Sequence, residues 1–376
     1  MIPITEYKVL GKLPNLFQFD DGRTVKSVED WRERRKELIK TAVDLQFGGM
    51  PPEPEFLEVL PCYLSYSPNH KDAYRITTGT RAHPISFMMY VDTPDKCEPN
   101  LPAIVDGDNC WHKAFRDEIR AEVGHHQYLY VSFDRTELAV DSTALGRVGP
   151  IYDCYPNMSF SVISAWAWGY SRCVDALEIL GIADMKHIAF TGLSRGAKTA
   201  LLAGAMDERA FLVNPEATCA GGAGCYRLHL KALTDKGNEA RSETLKDIYG
   251  NFPQWFTPEL AEYADREEEL PFDAHFLKAL VAPRWLFISE AESDIWSNPV
   301  GSYLTTEAAE EVYRMYGCDE RIQWYYRKGY HGQNIEDYQM LLNLMDVAIK
   351  GAPLDPRFRV LPFDKPEPIF DWRWEK

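Results

Sequence analysis

The chain has 376 residues, 45% hydrophobic and 26% charged, with 24 glycines and 24 prolines, a composition that excludes disorder, collagen and coiled coil. Lys plus Arg number 41 against 57 Asp plus Glu, so the net charge of −16 repels polyanions and argues against a nucleic-acid partner. No apolar run is long enough to cross a bilayer, and the first eight residues lack the basic-then-apolar pattern of an export signal. The expected location is therefore cytoplasmic and off the membrane, or secreted if a leader has been removed.

The eight cysteines, at 62, 97, 110, 154, 173, 219, 225 and 318, are scattered without a Cys-x-x-Cys pair. They read as reduced thiols rather than as a zinc site or a disulfide framework. Cys219 and Cys225 are close in sequence, but a core of this size needs no staple.

In chain order, Trp31 to Phe47 reads as an amphipathic helix started by Ser27 or Asp30 and ended by Gly48 and Gly49. Alternating segments around 56–66 and 84–92 predict antiparallel strands at a sheet edge. From about residue 100, short apolar runs alternate with helical ones, as in a parallel sheet buried on both faces. Strands are expected at 102–105, 128–134, 187–191, 211–214, 284–289 and 322–326. Helices are expected at 161–180, 195–206, about 303–316 and about 336–349, with a loop of about 25 residues after the second strand. Between 216 and 280 the rhythm breaks into a polar, helical-looking insertion, placed where lids and substrate walls sit. The expected organisation is one α/β domain over residues 1–376, with 1–60 as a covering segment and 216–280 as a substrate wall.

Gly192-Leu193-Ser194-Arg195-Gly196 stands between an apolar strand and a helix, the context a nucleophile elbow requires. Glycines there permit a turn that a Cβ would obstruct, and the turn holds the serine hydroxyl above the sheet. A serine nucleophile needs a base, and the base needs an acid. His331 follows the last strand and precedes the last helix, where a base belongs; His125, His126, His187, His229 and His275 read as surface or packed residues. Asp294, after the 284–289 strand, and Glu216, after the 211–214 strand, both end on the same rim, so either can serve as the acid. Arg195 and Lys198 place two cations beside the serine, where they can meet oxyanion charge and polar substrate groups. Asp106, Asp108 and His112 follow a strand where a hydrolase builds its second oxyanion donor, which favours that role over a metal site. Trp111, Trp166, Trp168, Trp255 and Trp296 are candidates for a sugar platform, although helical Trp166 and Trp168 fit the core better.

The run from Thr191 to Lys198, then Ala203 to Arg209, then Pro215-Glu216 with Gly221-Gly222-Ala223, resembles the glucuronoyl esterases of carbohydrate esterase family 15. Segments 31–35, 134–137, 165–169, 251–256, 270–275 and 282–284 fit as well, so the resemblance spans nearly the whole chain. It implies an α/β-hydrolase fold, Ser194 as nucleophile, Arg195 as oxyanion support, Lys198 as a sugar contact, Glu216 as acid and His331 as base. Trp296 matches a tryptophan that lines the sugar site. Leu193 stands where the family often has cysteine, which removes a family disulfide and leaves the chemistry intact. The expected activity is serine-type hydrolysis of a glucuronoyl ester on a small or oligosaccharide substrate, with no cofactor and no metal. Two alternatives stand beside it: an acetyl-carbohydrate esterase, and an inactive hydrolase fold that binds rather than cleaves.

Overall fold

The structure is a computed structural model and describes residues 3–62, 71–111, 116–234 and 236–375. Strand β1 (Ile4–Val9) is followed by helix α1 (Val28–Leu38), capped by the Ser27 hydroxyl. The helix runs through a π segment, Ile39–Asp44, into α2 (Leu45–Phe47), where Gly48 stops it at φ 75°. The left-handed turn suits glycine, which carries no Cβ to clash.

Three antiparallel strands come next: β2 (Phe56–Cys62), β3 (Lys71–Gly79) and β4 (Pro84–Asp92). The end of the strand expected over 56–66 lies outside the described residues, and β3 is an addition to the sequence reading. The parallel part contains β5 (Leu101–Asp106), α3 (Arg116–His125), β6 (Leu129–Phe133), α4 (Pro150–Cys154), α5 (Val162–Leu180), β7 (Ala183–Leu193), α6 (Arg195–Met206) and β8 (Ala210–Glu216). The insertion ends in α8 (His275–Val281), and after it come β11 (Trp285–Ala291), α9 (Pro299–Tyr316), β12 (Ile322–Arg327) and α10 (Ile335–Lys350).

The nine-stranded sheet has the order β12-β11-β8-β7-β5-β6-β4-β3-β2. It is parallel from β12 to β6 and antiparallel from β6 to β2. With β7 central and helices on both faces, side chains such as Val105, Ile188, Phe190, Val213 and Ile288 are fully buried, which is why these strands read as continuous apolar runs.

The insertion departs from its helical reading. It pairs β9 (Leu228–Leu233) with β10 (Glu239–Arg241) and with β1, giving a second, antiparallel sheet of order β1-β9-β10. Leu228, Leu230 and Ala232 point inward and Lys231 and Leu233 outward, a period-two pattern hidden among charged neighbours. Helix in this stretch consists of α7 (Leu245–Asn251), short 3-10 turns and, at its end, α8. No described helix is long and apolar enough to cross a membrane. All eight cysteines are free thiols, Cys219 and Cys225 included.

Candidate active site

Strand β7 ends at Leu193 and α6 begins at Arg195, so Ser194 alone makes the turn. Its φ of 57° and ψ of −115° are conformations an L-residue keeps only when its surroundings enforce them. A Cβ on Gly192 would sit 2.6 Å from the Gly196 carbonyl oxygen, and one on Gly196 would run into the Asp108 carboxylate. Asp108 accepts the Leu193 N–H at 2.7 Å and pairs with the fully buried Arg135 guanidinium. A buried ion pair thus underpins the elbow from below. Asp106 accepts the Tyr130 and Tyr338 hydroxyls at 2.7 Å each, so both aspartates are committed to protein donors. His112 lies outside the described residues.

His331 sits in the loop after β12, with its ring Nδ1 2.6 Å from Asp294 Oδ2. The Asp294 side chain is 4% exposed, against 40% for His331. An Nδ1–H donating to a buried carboxylate leaves Nε2 as the basic nitrogen, the tautomer a general base needs. Asp294 also accepts the Ser297 hydroxyl and caps the 3-10 turn Ile295–Ser297. Two main-chain bonds join the turn that carries Asp294 to the loop that carries His331: Glu292 N–H to Arg327 O at 2.8 Å, and Ser293 N–H to Gly329 O at 3.0 Å. Glu216, the other candidate acid, lies buried at the end of β8, with its main-chain carbonyl accepting the Ser194 N–H at 2.9 Å. Its side chain acts on the Asp337 carboxyl at the start of α10. The 2.6 Å bond to His331 belongs to Asp294. Three of the other histidines have partners of their own: His187 meets Asp184, His126 meets Asp346, and buried His275 bonds the Pro14 carbonyl at 2.8 Å.

Neither cation beside Ser194 stands alone. Arg195 Nη1 donates to Asp141 at 2.6 Å, and its guanidinium lies over the rings of Trp255 (4.8 Å), Phe252 (5.1 Å) and Trp111 (5.5 Å). Phe252 and Trp255 stack with centroids 3.9 Å apart, and the Trp255 indole N–H donates to the other Asp141 oxygen at 3.1 Å. Arg195 is thereby fixed against an aromatic wall at the mouth of the elbow. Lys198 is buried, and its ammonium donates to the Thr218 carbonyl.

Sequence reasoning missed Glu243. Burial pushes its carboxyl up to about 7, while the nearby Lys198 charge and the Ala220 N–H, at 3.2 Å, oppose the rise. Its main-chain N–H donates to the Trp296 carbonyl at 3.0 Å, which joins Lys198, Glu243 and Trp296 into one cluster. Trp296 is 39% exposed and carries Arg241 over its ring at 5.4 Å. Of the other tryptophans considered, Trp166, Trp168 and Trp255 are buried, and Trp111 is 41% exposed.

A serine at a strained elbow, an imidazole backed by a buried carboxylate and a cation next to the serine, on this sheet order, define a serine hydrolase of the α/β-hydrolase class. The family model described as "Glucuronyl esterase, fungi" matches residues 76–317. The 4-O-methyl-glucuronoyl methylesterase of Schizophyllum commune is 31% identical over 313 residues, covering 82% of this chain and 74% of the relative. That of Wolfiporia cocos is 30% identical, covering 82% and 73%. Among solved structures, the family 15 glucuronoyl esterase from Caldicellulosiruptor kristjansonii superposes with a TM-score of 0.83 at 30% identity, over 96% of both chains. The glucuronoyl esterase catalytic domain from Hypocrea jecorina gives 0.76 at 25% identity, over 97% of this chain and 99% of that one. The chain belongs to the glucuronoyl esterases, carbohydrate esterase family 15, and is an esterase.

Proposed function

We propose that this chain hydrolyses the ester between a 4-O-methyl-glucuronoyl carboxyl and an alcohol, with Ser194 as nucleophile, His331 as general base and Asp294 as its acid. His331 Nε2 takes the Ser194 proton as the hydroxyl attacks the ester carbonyl, and Asp294 stabilises the imidazolium that results. Negative charge collects on the carbonyl oxygen, where the Arg195 guanidinium and main-chain N–H groups at the elbow oppose it. Collapse of the tetrahedral intermediate breaks the bond to the alcohol, which leaves with the proton from His331. Water, activated by the same histidine, then attacks the glucuronoyl-serine ester, and the uronic acid departs. Glu216 has no place in this relay.

The observation that carries the choice of substrate is the cluster of Lys198, Glu243 and Trp296 around the first turn of α6. An ammonium and a carboxyl can take the hydroxyls of a sugar acid, and an open indole can cover its face. An acetyl group offers nothing for such a wall to hold. The relatives named as 4-O-methyl-glucuronoyl methylesterases support the same reading.

The test compares hydrolysis of methyl 4-O-methyl-glucuronate with that of an acetylated xylose, together with fluorophosphonate labelling of Ser194. The expected preference in kcat/KM for the uronate is at least about 100-fold, the scale set by leaving buried polar groups unpaired. The reverse preference assigns an acetyl esterase. Failure of wild type to label, when Ser194→Ala also does not, returns the chain to a binding role.

A further inference from the structure

Arg327 closes β12 four residues before His331, and the loop between them winds around its guanidinium. Nη1 donates to the Lys328 carbonyl at 2.9 Å, and Nη2 donates to the carbonyls of Tyr330 and Gly332 at 3.2 and 2.6 Å. The main-chain oxygens on both sides of His331 therefore end on one rigid, planar cation. Such convergence requires a tightly coiled backbone, met by Gly329 at φ 110° and Gly332 at φ 149°. A Cβ on Gly329 would sit 3.1 Å from Arg327 Nη1, so the loop closes directly onto the guanidinium.

The guanidinium is held from behind. Its Nε donates to both oxygens of Asp337, at 3.1 and 2.9 Å, and both side chains are buried. Asp337 is fixed in turn by the Asn334 N–H at 2.8 Å and by the Glu216 carboxyl. Burial raises the Asp337 carboxyl above its usual range, while the Glu216 side chain, the Arg327 charge and the Asn334 N–H oppose that rise.

Apolar packing does little for this loop, since Tyr330 is 53% exposed and Lys328 and His331 face solvent. A buried ion pair is also no efficient way to gain stability, because apolar replacements often do as well. What the pair does supply is a fixed path for six residues of main chain. We propose that Arg327 is a positioning residue for the proton relay: it templates the loop that presents His331, with Asp337 and Glu216 holding the template in place. This rests on the reading of His331 as the base, and it gives the buried Glu216 carboxyl a task outside the relay.

The experiment uses the purified full chain and methyl 4-O-methyl-glucuronate, with thermal melting of each variant. For Arg327→Ala we expect kcat to fall about 100-fold, the scale of an ångström's misplacement, with KM within about threefold of wild type. Added guanidinium at about 20 mM, far below the molar range that unfolds proteins, should restore at least about tenfold to Arg327→Ala. It should restore nothing to His331→Ala, which lacks the base itself. Arg327→Lys should fall between Arg327→Ala and wild type, and Glu216→Gln, whose amide can donate to Asp337, should lose less than Glu216→Ala. If Arg327→Ala does not fold, Asp337→Asn reads the same network, with an expected loss in kcat of about tenfold at unchanged KM. A folded Arg327→Ala or Asp337→Asn with wild-type kcat overturns the proposal, as does a loss carried by KM or one that guanidinium does not relieve. Activity retained in His331→Ala strikes instead at the base, whatever the arginine variants do.

Discussion

Replacing Asp294 by Asn tests the proton relay at its most buried member. Asp294 Oδ2 lies 2.6 Å from His331 Nδ1 and also takes the Ser297 hydroxyl. With the charge centres about 4 Å apart, and with His331 open enough to water for an effective dielectric near 20, the attraction between imidazolium and carboxylate is about 4 kcal/mol. That attraction exists only while His331 carries the serine proton, so its loss raises the barrier directly and corresponds to about 10³ in kcat. Asparagine adds a second penalty, because its amide N–H₂ turned toward Nδ1 favours the tautomer with the proton on Nε2, which cannot accept from Ser194. Asp294→Asn should therefore lose about 10³ to 10⁴ in kcat on methyl 4-O-methyl-glucuronate, measured at saturating substrate with the folded fraction checked by circular dichroism. A folded Asp294→Asn that turns over within about tenfold of wild type would refute the relay drawn through Asp294 and move the acid elsewhere.

The raised carboxyl of Glu243 gives a pH test on binding. It ionises near about 7, and sugar hydroxyls donate more strongly to a carboxylate than to a neutral acid, so KM should fall as pH rises from about 6 to 8. In Glu243→Gln, KM should stay flat over the same interval and lie several-fold above wild type at the upper end; a variant that keeps the wild-type slope removes Glu243 from the substrate wall. At the elbow, Gly196→Ala must displace the Asp108 carboxylate from beneath α6, at a cost of about 2–3 kcal/mol. Urea unfolding should show that loss as a lower midpoint with an unchanged slope, and an unchanged midpoint contradicts the packing described beneath Ser194.

The elbow was legible because its information is local: strand, glycine, serine, glycine and helix are contiguous in the chain. The parallel strands were legible for a similar reason, since burial on both faces leaves a continuous apolar run. Asp294 and Glu216 could not be told apart, because both follow parallel strands that open on one rim. The choice depends on the main-chain bonds that join residues 292–293 to 327–329, and sequence does not display them. Glu243 was missed because its partners, Lys198 and Ala220, are brought to it by the β9–β10 pairing, in a stretch whose charges masked the strand period. Arg195 was seen as a cation but not as a paired one: Asp141 lies in the long loop before α5 and meets it only across the fold.

The seam between residues 292–293 and 327–329 has a consequence for how this esterase can change. The carboxylate and the imidazole are carried by adjoining strands and stitched together behind the reacting atoms, so they form a single cassette. Trp296 rides in the turn that Asp294 caps, whereas Glu243 is borne on the insertion, just after β10. A change on the insertion can therefore alter the surroundings of Glu243 without touching this seam, whereas a change in the turn that carries Trp296 disturbs the Asp294 carboxylate as well.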